Sequence, residues 1–76
     1  MTDEQMMKVA NDISDKLIRI NAKNTAGDKT LLQLYYELLG DKYKGYETSI
    51  LTYLPERLAA KGYEIVNQKW FQLKKY

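Results

Sequence analysis

The stretch that decides the fold is residues 48–76, TSILTYLPERLAAKGYEIVNQKWFQLKKY. Segment 48–61 repeats its apolar residues at helical spacing, and Gly62 follows it as a typical helix C-terminal cap. Two short runs with strand-like alternation come next, YEIV at 63–66 and WFQL at 70–73. The stretch therefore predicts a helix that leads directly into a β-hairpin.

The helix at the start of this stretch contains a proline. Pro55 cannot donate a helical backbone hydrogen bond, and its ring clashes with the carbonyl four residues earlier. Because the apolar spacing of Leu54 and Leu58 continues past it, we predict one kinked, continuous helix rather than two short ones. Thr48 or Ser49 is expected to cap its N-terminus.

The hairpin register follows from its side chains. A three-residue loop at 67–69 pairs Ile65 with Phe71 and Tyr63 with Leu73, which collects these four residues on one apolar face. A two-residue loop would instead mix apolar and polar residues on both faces, so we predict the three-residue loop. The loop lacks glycine, and we expect the hairpin tip to be mobile. The outward face then consists of Glu64, Val66, Trp70 and Gln72.

The N-terminal segment predicts a helix over residues 2–22. Thr2 and Gln5 form a capping-box pair at its start. Its apolar residues form one seam, which is typical either of a coiled-coil homodimer helix or of a helix packed on its own domain. The seam is too short to specify a coiled coil, so the second interpretation is favoured. The seam consists of Met6, Val9, Ala10, Ile13, Leu17 and Ile20.

A second helix is predicted over residues 29–39, after a loop at 24–28. Asp28 or Thr30 can cap this helix, and Gln33 completes a capping box with Thr30. The body LLQLYYELL is apolar around much of its circumference, which predicts a central position, and Gly40 is expected to end it in a left-handed conformation. The chain is therefore predicted to be a single α+β domain over 1–76, with the element order α-α-α-β-β.

The composition argues against catalysis. The 76 residues include no Cys and no His, which excludes disulfides, the common catalytic triads and most transition-metal sites. Ser14 and Ser49 have no accompanying nucleophile motif, and Asp12 and Asp15 are most simply solvated carboxylates. We therefore expect no enzyme activity, no cofactor and no metal. No apolar run is long enough to span a membrane, and the acidic start MTDEQMM is unlike a signal peptide, so a cytoplasmic location is expected.

The C-terminal pattern resembles that of winged-helix domains. It has Leu54 and Leu58 in the helix, Gly62, then Tyr63 and Ile65, followed by WFQL at 70–73. This resemblance to the winged-helix superfamily covers roughly residues 30–76, although the sequence shows no strand between its first two helices. It implies that helix 48–61 reads the major groove of DNA and that wing 67–69 contacts the backbone.

Residue chemistry and this resemblance together name a candidate interface with double-stranded DNA. Hydroxyls and an arginine face outward on helix 48–61, two lysines precede the helix, and further bases lie at the wing and on a short basic tail. Ten of the twelve basic residues are lysine, which suits an AT-rich bacterial or phage genome. With the winged-helix resemblance, the expected role is that of a bacterial or phage transcriptional regulator. The candidate residues are Lys42, Lys44, Thr48, Ser49, Thr52, Tyr53, Arg57, Lys69, Trp70, Lys74 and Lys75.

A second function stays open beside DNA binding. The chain has seven tyrosines, more than so small a core can bury, and exposed tyrosines favour protein interfaces. A non-catalytic protein-interaction module, such as a phage or mobile-element inhibitor, immunity or adaptor protein, is the alternative. The tyrosines that would serve it are Tyr36, Tyr43, Tyr46, Tyr53 and Tyr76.

Overall fold

The computed structural model describes residues 1–24 and 26–76, so Thr25 of the predicted loop 24–28 lies outside the described residues. Three helices precede a two-stranded antiparallel sheet, which confirms the α+β class and the order α-α-α-β-β. No helix in these ranges is long and apolar enough to cross a membrane. The elements are α1 (Asp3–Lys23), α2 (Leu31–Leu39), α3 (Glu47–Ala60), β1 (Tyr63–Asn67) and β2 (Gln72–Lys75).

Helix α1 lies at the centre of the domain, not α2 as the sequence predicted. It packs against α2, α3 and β2, whereas α3 packs mainly on α1 and β1. α1 has 21 residues and can reach every other element, while α2 has nine and leaves Leu32 exposed. The α1 seam from Met6 to Leu17 is buried in this core, so that face is not available for a coiled-coil dimer.

The helix ends follow the predicted caps at α1 and α2 but not at α3. Both capping boxes, Thr2 with Gln5 and Thr30 with Gln33, are present. α2 therefore begins at Leu31 and not at residue 29, since its cap Thr30 is extended. α3 begins one residue earlier than predicted, with no side-chain cap hydrogen bond. The capping role expected of Thr48 or Ser49 is wrong, because both residues lie inside the first turn.

One proline lies within α3, and a glycine with positive φ lies at or just after the end of each of α2 and α3. Pro55 lies inside a continuous α3, as predicted. Gly62 has φ +88° just after the α3 cap residue Lys61. Gly40 ends α2 with φ +60° and ψ −142°. This is a conformation essentially restricted to glycine, but it is not the left-handed helical one that the sequence predicted.

The hairpin has the predicted faces in a different register. Ile65 pairs with Leu73 and Tyr63 with Lys75, which moves the pairing two residues along β2, and a bulge follows Ile65. β2 consequently begins at residue 72 instead of 70, and the loop spans 68–71. Side chains alternate with a period of two, so this shift leaves each residue on its predicted face. Phe71 and Leu73 are buried, and Trp70 is exposed.

Hydrogen bonds hold the hairpin tip against the rest of the domain. The backbone N–H of Leu31 donates to the carbonyl of Gln68 at 2.9 Å, and that of Phe71 donates to the carbonyl of Lys29 at 3.0 Å. Asn67 Oδ1 also accepts from the N–H groups of Lys69 and Trp70. The sequence predicted a mobile tip because it lacks glycine, whereas the structure has side-chain and long-range backbone hydrogen bonds at this position.

Candidate nucleic-acid interface

The loop between α2 and α3 is fixed in place by two tyrosines of α2. The Tyr35 hydroxyl donates to the carbonyl of Tyr43 at 3.0 Å, and the Tyr36 hydroxyl donates to the Glu47 carboxylate. That carboxylate also accepts from the N–H of Gly45. The hydrogen bond from Tyr36 lowers the pKa of Glu47, and the same bond raises the pKa of Tyr36. The loop therefore presents its lysines from a defined backbone.

Lys42 and Lys44 are exposed on this loop, directly before the N-terminus of α3. The Lys42 ammonium lies 5.4 Å from the ring centroid of Tyr43. A cation at this distance from an aromatic face is weakly attracted to it, which orients the lysine without neutralising its charge. Both lysines are therefore accessible to an anionic partner.

Three of the predicted contact residues on α3 form an exposed hydroxyl surface. Thr48, Ser49 and Thr52 are all exposed in its first turns. The Thr52 hydroxyl donates to the carbonyl of Thr48 at 2.6 Å, so its oxygen remains available as an acceptor. We use the name α3 entry surface for these three residues together with Lys42 and Lys44, the exposed lysines of the preceding loop.

The other two predicted contact residues on α3 are only partly exposed. Tyr53 is half-buried against the core, and burial followed by a hydrogen bond with Asp3 raises its pKa. Arg57 is half-buried, its Nη2 lies 2.8 Å from Glu56 Oε1, and its Nε has no hydrogen-bond partner among the described residues. To contact a DNA base, either side chain would first have to leave its present contacts.

The hairpin residues of the predicted interface lie at its two ends. Lys69 and Trp70 are exposed in the tip. Lys74 and Lys75 are not a tail, because they belong to β2 and pair with Glu64 and Tyr63 near the base. The predicted contact residues therefore lie in three places, which are the loop and first turns of α3, the hairpin tip and the base of β2.

A polar cluster that the sequence did not predict joins α3 to α1. The Lys61 ammonium donates to the Asn11 carbonyl at 3.0 Å, to Ser14 Oγ at 2.5 Å and to Asp15 Oδ1 at 2.7 Å. A serine beside a lysine can form a nucleophilic pair, but Ser14 is completely buried and no substrate can reach it. The cluster is therefore a structural link, formed by residues 46–50 positions apart in the sequence.

The buried hydroxyl of Tyr35 should make the stability of the fold fall at alkaline pH. Burial raises the pKa of its hydroxyl from 10.0 to about 12. Folding therefore favours the neutral hydroxyl, and this preference contributes to the free energy of unfolding in full below pH 10. As the pH rises from 10 toward 12, the free energy of unfolding should fall by about 2 kcal/mol. Tyr35→Phe should cost about 1 kcal/mol at pH 7, through the lost bond to Tyr43, and this deficit should shrink or reverse by pH 12. Urea unfolding of the parent protein and the variant between pH 7 and pH 12 measures the difference in stability. A difference that stays constant over this range would contradict the raised pKa of Tyr35.

No family model, curated protein or solved structure matches this chain. Within residues 1–24 and 26–76, no three acidic side chains are grouped closely enough to hold a metal ion.

Proposed function

We propose that this chain is a small winged-helix-like DNA-binding protein. The observation that carries the proposal is the pair of backbone hydrogen bonds between 29–31 and the hairpin tip. They join Lys29 and Leu31, on either side of the extended residue Thr30, to the hairpin tip, between the first two helices, where the sequence shows no strand. With the order α-α-α-β-β, this arrangement supports α3 as the recognition helix and the hairpin as the wing.

Contacts to phosphates carry most of the proposed affinity. The α3 entry surface offers Lys42 and Lys44, neither of which has an ion-pair partner in the described part of the chain. The only base on α3, Arg57, is bound to Glu56. Hydroxyls can bond phosphates as well as base edges, so binding is expected to be salt-dependent and weakly sequence-selective. A bacterial or phage transcriptional regulator is the role proposed for such a protein.

Neutralising two loop lysines should selectively weaken DNA binding. Each lost phosphate contact reduces the salt slope by about one, so Lys42→Gln with Lys44→Gln should weaken binding roughly tenfold or more at low salt. A matched control, Arg19→Gln with Lys23→Gln on exposed positions of α1, should bind within about twofold of the parent protein. Fluorescence anisotropy with a generic duplex at several salt concentrations measures both, and equal losses in the two variants would contradict the proposed surface.

Amide chemical shifts locate the interface independently. A duplex titration at low salt should perturb residues 42–52 and 68–71, and the perturbations should shrink steeply with added salt. Shifts spread evenly over all lysine-bearing surfaces would indicate unspecific attraction to a polyanion. No shifts at low salt would reject DNA binding.

Protein binding is the second candidate function. It is favoured by Trp70 and Val66, each 57% exposed on the outer face of the hairpin, and by the exposed rings of Tyr46 and Tyr76. Large apolar side chains at such positions are typical of interface anchors. If duplex DNA causes no amide shifts, these exposed side chains favour protein binding as the function.

A further inference from the structure

We propose that a groove along α1 binds an acidic amphipathic helix of a partner protein. The groove lies between the N-terminal half of α1 and the segment that ends α2 and enters α3. It consists of two depressions of about 490 Å³ and 250 Å³ that share Val9, Asp12, Lys42 and Tyr43. The proposal does not depend on DNA binding.

The floor of the groove has apolar side chains along its length, which predominate in the larger depression and are mixed with polar groups in the smaller one. Val9 of α1 and the half-buried residues Leu38, Leu39 and Tyr43 line it, and the exposed ring of Tyr46 lies at one end. It extends from Gln5 to Lys16 along α1, which is about 17 Å or three helical turns. This length fits three or four apolar anchors spaced along one face of a short helix.

The rim of the groove selects the charge of the partner. Lys8, Lys16 and Lys42 stand along it against a single acid, Asp12. None of these four side chains forms an ion pair with another part of the described chain. A partner helix with glutamates or aspartates beside its apolar stripe would complement this rim, whereas a basic helix would be repelled.

Two other occupants fit less well. In a twofold-symmetric contact the same surface serves on both subunits, so a second copy would bring six lysines into one interface with only two Asp12 carboxylates. Duplex DNA would satisfy the lysines but would leave the apolar floor without a complementary surface. The combination of apolar floor and basic rim therefore points to an acidic amphipathic helix.

A pair of model peptides tests the proposal. The probe is a helix-forming peptide of about 14 residues with a leucine stripe and glutamate flanks, and its partner carries lysine at the flanking positions. We expect the glutamate peptide to shift amides of residues 5–16 and 38–46, and the lysine peptide to bind at least about fivefold more weakly. Equal binding of both peptides, or no shifts with the glutamate peptide, would overturn the proposal.

Charge reversal localises the effect. Lys42→Glu should weaken glutamate-peptide binding about fivefold, while the matched change Lys74→Glu on β2 should leave it unchanged within about twofold. Both lysines are exposed, so both variants should retain the fold, which the dispersion of the amide spectrum checks. A duplex titration of the same samples separates the two proposals. If DNA shifts the amides of residues 5–16 in the same way as the peptide does, the groove binds any polyanion, and the helix-binding proposal is overturned.

Discussion

Phe71→Ala is expected to remove about 3–5 kcal/mol from the free energy of unfolding. Phe71 is 2% exposed in the core, although it belongs to the hairpin tip. Truncating a buried Phe loses its transfer free energy and leaves a cavity that the surrounding structure only partly fills. A domain of this size has roughly 4–11 kcal/mol in total. The variant should therefore be largely unfolded well below the melting temperature of the parent protein, as measured by urea and thermal unfolding.

The neighbouring residue supplies a matched control. Trp70 is larger than Phe71 but is 57% exposed. Trp70→Ala should change the free energy of unfolding by about 0.5 kcal/mol or less. The reverse order of the two effects would mean that the two faces of the hairpin are exchanged.

Lys61→Met is expected to cost about 2–3 kcal/mol. The substitution keeps an apolar stem of similar length but removes the ammonium that bonds Asn11, Ser14 and Asp15 of α1. Hydrogen bonds to a charged donor contribute more than neutral ones, and this ammonium lies close to the fully buried Ser14. Chemical denaturation at neutral pH measures the loss directly.

The control for this prediction makes the same chemical change elsewhere. Lys69 is exposed in the hairpin tip and has no ion-pair partner among the described residues. Lys69→Met should alter stability by about 0.5 kcal/mol or less. If both substitutions cost the same, the link between Lys61 and α1 contributes little beyond packing of its stem.

The hairpin shows how far side-chain patterning reaches. Alternation separated Phe71 from Trp70 and placed each on the face that it occupies in the structure. It could not distinguish registers that differ by two residues, because those registers have identical faces. The observed register also depends on Asn67, whose side chain organises the turn, and on the contact with Lys29, which is remote in sequence.

The arrangement of the helices could not be predicted from the sequence as well as the hairpin faces were. Periodicity identified the apolar side of α1 but not its central position, since periodicity describes one helix and not its neighbours. The start of α3 was also misplaced, because Glu47 forms its contacts with Tyr36 and Gly45 instead of a hydroxyl forming a conventional cap.

The exposure of Thr48, Ser49 and Thr52 was predicted correctly, because it follows from their position at the start of α3. Tyr53 and Arg57 lie further along the same helix, where packing against α1 and β1 decides which side is covered. Such packing depends on the whole fold, which is why the partial burial of these two side chains could not be inferred from the sequence. The Lys61 cluster was missed for the same reason.

The bonds between 29–31 and the hairpin tip also bear on how the chain reaches its structure. They join segments that are far apart in sequence, so the entropy of closing a long loop must be overcome before they form. During synthesis, a nascent chain that ends before Phe71 cannot complete this contact or fill the core position of that ring. Until the hairpin docks, α1 and α3 have an incompletely covered apolar surface, and a chain in that state is prone to aggregate.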